Sequence, residues 1–235
     1  MIKAEFSGRL GNTLFQNIGI SILAKKFNYK TDITYNHYTL TDYDKKVLGI
    51  KLNNGELINL NFKDINDDNV LDVLKLDNID YGLNYKGFFE LKDFVINYKE
   101  DILNHFDLEY DNINKNDVFI HVRLGDIAYE YKLTAELDYY IKSLDSIKFQ
   151  KGYISSDSLN HPYITFLVKK YNLTIVNNTP VETINFGKNF NNLVLSQGTF
   201  SWWIGFLSKA NNIYYPNNYK RWHGDIFVFE NWKGI

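Results

Sequence analysis

Apolar residues recur along this chain in two spacings, and the spacing switches at regular intervals. "IKAEFSG" opens with a short alternating run that ends at Gly8. In "TLFQNIGISILAKKF", Leu14, Ile18, Ile22 and Leu23 stand three or four residues apart with Phe15 beside them. That spacing predicts a helix with one buried stripe. "YKTDITY" alternates again and predicts a second strand. Strand, glycine turn, helix and strand together make a βαβ unit.

From residue 116 the pattern sharpens. "DVFIHVRL" predicts a strand. "TAELDYYIKSL" predicts a helix, with Leu137, Ile141 and Leu144 on one face and Thr134 as its N-cap. "KGYISSD" is a strand with a polar end, and "HPYITFLVKKYN" a helix with Pro162 in its first turn, where proline is tolerated. "LTIVNN" and "NNLVLSQ" read as strands, "TFSWWIGFLSKA" as an apolar helix, and "NNIYYP" as a further strand. Strands alternating with helices predict an α/β fold with parallel, Rossmann-like sheets. Between residues 40 and 115 the periodicity breaks up. Asn and Asp are frequent there, apolar groups such as "NVLDVLKL" are short, and only "FVINYKEDILNHF" has helical spacing. Irregular structure and short helices are expected. No internal repeat or low-complexity linker interrupts the chain.

Composition narrows the function classes. The chain has 235 residues, 45% hydrophobic and 23% charged, which fits a packed core in one large domain or two small ones. Aromatics reach 17%; flat rings suit strands and the walls of sugar sites, although at this abundance most belong to core and surface. A net charge of -2 provides no basic field, which argues against a nucleic-acid partner. With no cysteine there is neither a disulfide nor a thiolate metal site, in keeping with a reducing compartment. No run of about 18 apolar residues stands out. A soluble, cytoplasmic protein with no membrane span is expected, and the sequons at Asn172 and Asn177 then carry no weight.

Ligands of parallel α/β sheets bind beyond the carboxyl ends of the strands. Polar residues collect at those ends here: His121, Arg123 and Asp126 after one strand, Ser155, Ser156 and Asp157 after the next. Ser196, Gln197, Gly198, Thr199 and Ser201 lie between the "NLVL" strand and the "SWW" helix, and Gly8, Gly11 and Asn12 in the first turn. The chemistry they suggest is anion recognition. An arginine fork holds two phosphate oxygens, and a helix start near Thr199 offers free N–H groups to a phosphate. No metal site is expected, so arginine and helix ends would neutralise the charge. Singly, these features are weak. "GRLGN" is neither a Walker A sequence nor a full dinucleotide fingerprint. Trp202 and Trp203 read as core, and Ser155 to Asp157 as an ordinary cap before the next helix.

Three motifs in this order resemble the α-1,2-fucosyltransferases of glycosyltransferase family 11. "GRLGNTLFQ" is similar to their Gly-Gly-Leu-Gly-Asn-Gln-Leu-Phe-Gln, "HVRLGD" to their His-x-Arg-Arg-Gly-Asp, and "SQGTFSWWIGFLS" to their Asn-Ser-Thr-Phe-Ser-Trp-Trp-Ala-Ala-Tyr-Leu. "YISSD" resembles their Phe-Ser-Asp-Asp strand end and "YYPNNYKRW" their terminal Pro-x-x-Trp region. The resemblance implies a GT-B-like fold with two Rossmann-like lobes, residues 1–115 on the acceptor side and 116–235 binding the nucleotide sugar. It implies metal-independent, inverting transfer of fucose from GDP-fucose to an oligosaccharide or glycoconjugate, at galactose O-2, with no cofactor beyond that donor.

By the same resemblance Arg123 would hold the diphosphate, with His121 and Asp126 shaping its loop as catalytic residues. Asp157, Ser155, Ser196, Thr199, Phe200 and Ser201 would bind the donor, and Gly8, Gly11, Asn12 and Gln16 would line the cleft from the first lobe. Asp126, or an acid among residues 40–115, would serve as general base. The chain departs from the family pattern at Leu124, which replaces the second arginine, at Gln197–Gly198, at Thr13 and at Arg9. Rival readings are a transferase for another nucleotide sugar, a non-catalytic sugar- or nucleotide-binding module, and a Rossmann oxidoreductase; the incomplete glycine fingerprint argues against the last.

Overall fold

The structure, a computed structural model, describes residues 1–59, 61–111, 116–126, 134–217 and 225–235. The chain forms two compact α/β units, Met1–Asp107 with His223–Ile226, and Leu108–Trp222 with Phe227–Ile235.

The first unit holds strands β1 (Ile2–Phe6), β2 (Thr31–Tyr35), β3 (Phe62–Asn66) and β4 (Gly82–Lys86). Its helices are α1 (Leu10–Phe27), α2 (Asp42–Leu48), α3 (Val70–Lys75), α4 (Lys92–Asn97) and α5 (Lys99–Leu103). The strands pair in the order β2-β1-β4-β3, every pairing parallel. β3 and β4 correct the expectation of irregular structure after residue 40. β3 is an edge strand, "FKDIN", in which only Ile65 is buried, so it lacks the apolar alternation that marks a strand.

α1 departs from expectation in the opposite sense. One buried stripe was expected, yet the helix is buried nearly all round, including Thr13, Gln16, Asn17 and Ser21. Each polar side chain finds a partner, as burial demands. Asn17 donates to Thr13 O at 2.8 Å and accepts from the Tyr35 hydroxyl at 2.9 Å, and Gln16 Nε2 donates to Gly87 O at 3.0 Å. Ser21 Oγ accepts from the Asn53 backbone N–H at 2.6 Å and shares a 2.8 Å hydrogen bond with His105 Nε2.

The second unit runs β5 (Val118–Val122), α6 (Leu137–Asp145), β6 (Gly152–Ser156), α7 (Pro162–Tyr171), β7 (Thr174–Ile175), α8 (Pro180–Gly187), β8 (Asn192–Val194), α9 (Thr199–Phe206), β9 (Asn212–Tyr215) and β10 (Trp232–Gly234). The sheet is all parallel in the order β10-β9-β8-β5-β6-β7. Reading outward from β5, the chain adds β6 and β7 on one side, then returns and adds β8, β9 and β10 on the other. This is the doubly wound order, and it reverses between β5 and β8, where such folds open a crevice at the strand ends. β5 is buried at every residue, as a central parallel strand covered on both faces must be.

Pro162 opens α7 behind His161, whose Nδ1 accepts from the Tyr163 N–H at 3.2 Å. Thr134 does not cap α6. That helix starts at Leu137 with Glu136 at its N-cap, without a side-chain cap bond. "LTIVNN" yields only the two-residue β7, and α8 follows it behind a capping box of Thr179 and Glu182. Trp202 and Trp203 are fully buried core; the Trp202 ring stacks on Phe206 with centroids 4.4 Å apart. Of the "YYPNNYKRW" segment, residues 218–222 lie outside the described residues.

Candidate functional site

In the second unit the site assembles where the strand order reverses. Its first wall is the segment that leaves β5. Arg123 Nη2 lies 2.6 Å from Asp126 Oδ1, and Nη1 lies 2.7 Å from Asp157 Oδ2 at the end of β6. The other oxygen of Asp157 accepts from the Leu124 N–H at 2.8 Å and the Gly125 N–H at 3.2 Å. One carboxylate thus fixes both the backbone of the loop and the plane of the guanidinium. A side chain on Gly125 would collide with Asp157 Oδ2, so the glycine provides room for that carboxylate. Three predicted residues 34 positions apart or less therefore form one charged cluster, with side chains 17% (Arg123), 29% (Asp126) and 22% (Asp157) exposed. Leu124, the departure from the family pattern, points the other way: it is 1% exposed and packs in the hydrophobic core with Val122 and Ala135.

The second wall is the turn from β8 into α9. Gly198, the N-cap of α9, has φ 92°, a conformation open to glycine, and a side chain there would meet nothing within 4 Å. No side chain caps the helix. The positive dipole end of α9 lies at this turn, beside Thr199 and Phe200, and helix starts are where anions are received.

His121 joins the two walls. Its Nδ1 lies 2.5 Å from Ser201 Oγ, which also accepts from the Ser196 N–H at 3.1 Å, and its ring packs on Phe200 at 4.8 Å. Burial, and then the positive charge of Arg123, push the imidazole down to about 3. His121 is therefore neutral at ordinary pH, and it holds α9 against β5 rather than carrying charge. Ser196 is likewise fully buried: its hydroxyl donates to Gln197 Oε1 at 2.7 Å and accepts from Tyr140 at 3.0 Å. Those bonds tie α6 to the turn. Ser155 lies buried at the register position opposite His121. Among the described residues no group of three or more His, Cys, Asp or Glu could hold a metal ion, and no helix is long and apolar enough to cross a membrane.

In the first unit β4 is inserted between β1 and the edge strand β3. Gly8 (φ 94°) makes the turn after β1, with the Asn12 side chain folded back against it, and Gly11 and Gln16 are buried in α1. Gln16 reaches the turn after β4 through Gly87. That turn holds residues the sequence reading did not single out. Asp67 accepts from the Tyr85 hydroxyl at 2.5 Å and from the Phe88 and Phe89 N–H groups at 2.9 Å each. Phe89 has φ 58°, the left-handed region that bulky residues avoid, and its ring fills the space left by Gly19. Glu90 follows, 5% exposed. Burial, and then the charge of Asp67, push it up to about 8. The signal available in the sequence was an acid inside the apolar run "FFEL".

Comparison with known proteins bears on the family and the fold. No curated protein matches the chain in sequence. Among solved structures, a mutant of Arabidopsis thaliana FUT1 in complex with GDP is similar, with a TM-score of 0.51 and 10% sequence identity, over 92% of this chain and 70% of that one. At that identity the likeness shows the fold, and the two parallel-sheet units are accordingly GT-B-like. The family model of glycosyl transferase family 11 matches residues 1–234, so the three motifs belong to one continuous match. The chain belongs to glycosyl transferase family 11, the fucosyltransferase family that its motifs resemble.

Proposed function

We propose that the protein transfers fucose from GDP-fucose to a hydroxyl of a glycan, with inversion at the anomeric carbon and galactose O-2 as the acceptor position. The second unit binds the donor and the first unit the acceptor. The observation that carries this reading is Arg123, held in plane by Asp126 and Asp157 at the order reversal where the start of α9, which no side chain caps, also lies. The GDP bound by the FUT1 structure supports a guanine nucleotide donor.

In the reaction, the acceptor oxygen bonds to the anomeric carbon as the bond from that carbon to the diphosphate oxygen breaks. The leaving GDP takes that electron pair, and the acceptor proton passes to a base. Negative charge grows on the diphosphate. Arg123 and the N–H groups at the start of α9 meet it, and a donor set fixed in advance stabilises such charge without reorganising. Neutral His121 contributes by holding Ser201, and with it the first turn of α9, in place. Charge compensation then needs no metal ion.

The test is GDP-fucose turnover in the presence of EDTA against a panel of galactosides, with product linkage and anomeric configuration read by NMR. Arg123→Ala should lower transfer by about 10²–10³-fold, the loss typical of removing one preorganised donor, and weaken GDP binding in calorimetry. Wild-type transfer and GDP affinity in that variant would sink the reading. A second reading rests on Leu124, which puts an apolar residue where the family pattern has a second arginine: a binding module that holds the nucleotide sugar without transferring it. GDP binding without turnover on any acceptor would favour it.

A further inference from the structure

A cavity of about 450 Å³ opens in the first unit. Its walls are the end of α1, the residues before β2, and the residues that lead into β3 and β4, so it lies at the amino edge of the sheet. Ligands of parallel sheets bind at the other edge, beyond the carboxyl ends of the strands. The cavity is therefore separate from the turns that hold Gly8 and Glu90.

Hydrogen bonds fix its walls. Tyr29, 3% exposed, lies in the floor, and its hydroxyl donates to Tyr81 O at 2.7 Å and to Ile79 O at 3.2 Å. The Asn28 carbonyl accepts from the Leu57 N–H at 2.8 Å and the Glu56 N–H at 3.1 Å. Asn59 Nδ2 donates to Asp80 O. Three stretches far apart in the chain are thus tied around one opening, and its shape exists before any ligand arrives, as in most small-molecule sites.

The lining selects a ligand class. Leu57 and Ile58 stand side by side, 52% and 58% exposed, over a floor that includes Phe27 and Tyr29. Single exposed apolar side chains are ordinary, but apolar side chains grouped around a concave surface with a few polar neighbours mark a binding site. Those neighbours are Lys26, Asn28 and Asn78, all exposed. The amide groups both donate and accept, as a sugar hydroxyl does. A phosphate fits poorly. Lys26 is the one cationic side chain in the lining, its Nζ is 5.7 Å from the Phe27 ring, and α1 turns its carboxyl end, the negative end of its dipole, toward the cavity. An alkyl chain would take water from the amides and return no hydrogen bond.

We propose that this cavity is a binding site for a short neutral oligosaccharide, distinct from the donor site. The aliphatic side chains cover the C–H face of the sugar, and the amides of Asn28 and Asn78 take its hydroxyls. The proposal is independent of the transfer reaction, since the site lies within one unit and uses none of the residues assigned to the donor.

The test is NMR of the full ¹⁵N-labelled chain titrated separately with lactose, maltose and cellobiose. The amide signals of Lys26, Asn28, Ile58 and Asn78 should shift together and saturate for at least one sugar, with a Kd of about 1 mM. Ile58→Asp and Asn78→Ala alter exposed positions, and each should weaken that binding about fivefold or more, the loss of one net contact, while GDP affinity stays at wild-type level. Each variant is compared by thermal melt, and either one that folds suffices. Absence of a saturable shift at these four amides up to about 50 mM sugar overturns the proposal, as do saturable shifts there with inorganic phosphate or hexanol in place of the sugars, or unchanged sugar binding in a folded variant. Failure of the wild type to bind GDP would sink the donor reading and leave this site to be decided by the sugar titrations.

Discussion

The turn after β5 and the turn after β4 both follow an interior strand of a parallel sheet, and they treat charge in opposite ways. After β5 a cation is balanced by two partly exposed carboxylates, and every charge has a partner at 2.6–2.7 Å. After β4 an acid is buried beside another acid, with one oxygen unpaired, and responds by keeping its proton. The first arrangement can exchange internal carboxylates for the oxygens of an anionic ligand. The second holds a proton. One α/β scaffold therefore carries an ionised cluster or a protonated acid according to whether the strand end is supplied with donors or starved of them.

The sharpest way to break the comparison is pH. Glu90 is raised from its ordinary 4.5 to about 8, so the native state holds a proton that the unfolded chain has already released. Its contribution to stability therefore declines as pH rises from about 4.5 to about 8. His121 is lowered from 6.5 to about 3, so the unfolded chain takes up a proton that the native state refuses, and stability declines as pH falls from about 6.5 toward 3. Each effect is worth a few kcal/mol. Amide protection factors in β4 should therefore fall on the alkaline side and those in β5 on the acid side. Glu90→Gln should flatten the first trend and leave the second. Buried His105, also lowered by burial, adds an acid-side loss to the first unit without touching its alkaline slope. Parallel pH trends in β4 and β5 would mean that the two sites do not differ as described.

A smaller effect sharpens the contrast within the first unit. A side chain at Gly19 would overlap the Phe89 ring, so Gly19→Ala should destabilise this unit by about 1–3 kcal/mol, the usual range for overpacking. Denaturation monitored in β4 should report that loss, with GDP affinity unchanged. A change of similar size is expected in the second unit. Ser201→Ala removes the partner of His121 Nδ1 and of the Ser196 N–H, at about 1–3 kcal/mol for buried groups left unpaired. Thermal unfolding should shift accordingly, and a weaker hold on α9 should raise the Kd for GDP. Unchanged GDP binding would show that α9 keeps its position without this link.

The second unit was largely legible in the sequence because its central strands β5 and β8 are buried throughout and its helices run long enough to show their period. Val118, Phe119, Ile120 and Val122 make an apolar run, and the polar residues after it had to lie at a strand end. The first unit was less legible beyond residue 40. β3 shows water most of its length, and α2 to α5 are five to seven residues long, too short for two full turns. Within the sites, residue types were readable and states were not. That His121 is neutral depends on burial, and that Glu90 keeps its proton depends on burial and then on Asp67, 23 positions away in the sequence. Leu124 was visible as a departure, but only its packing shows that it serves the core.

The oxygen of Asp157 that pairs with Arg123 is also the atom that a side chain at Gly125 would strike, within 2.5 Å. Positions 123, 125 and 157 are consequently coupled in space. A side chain at 125 would push on the carboxylate at 157, and moving that carboxylate would leave Asp126 as the partner that orients the arginine.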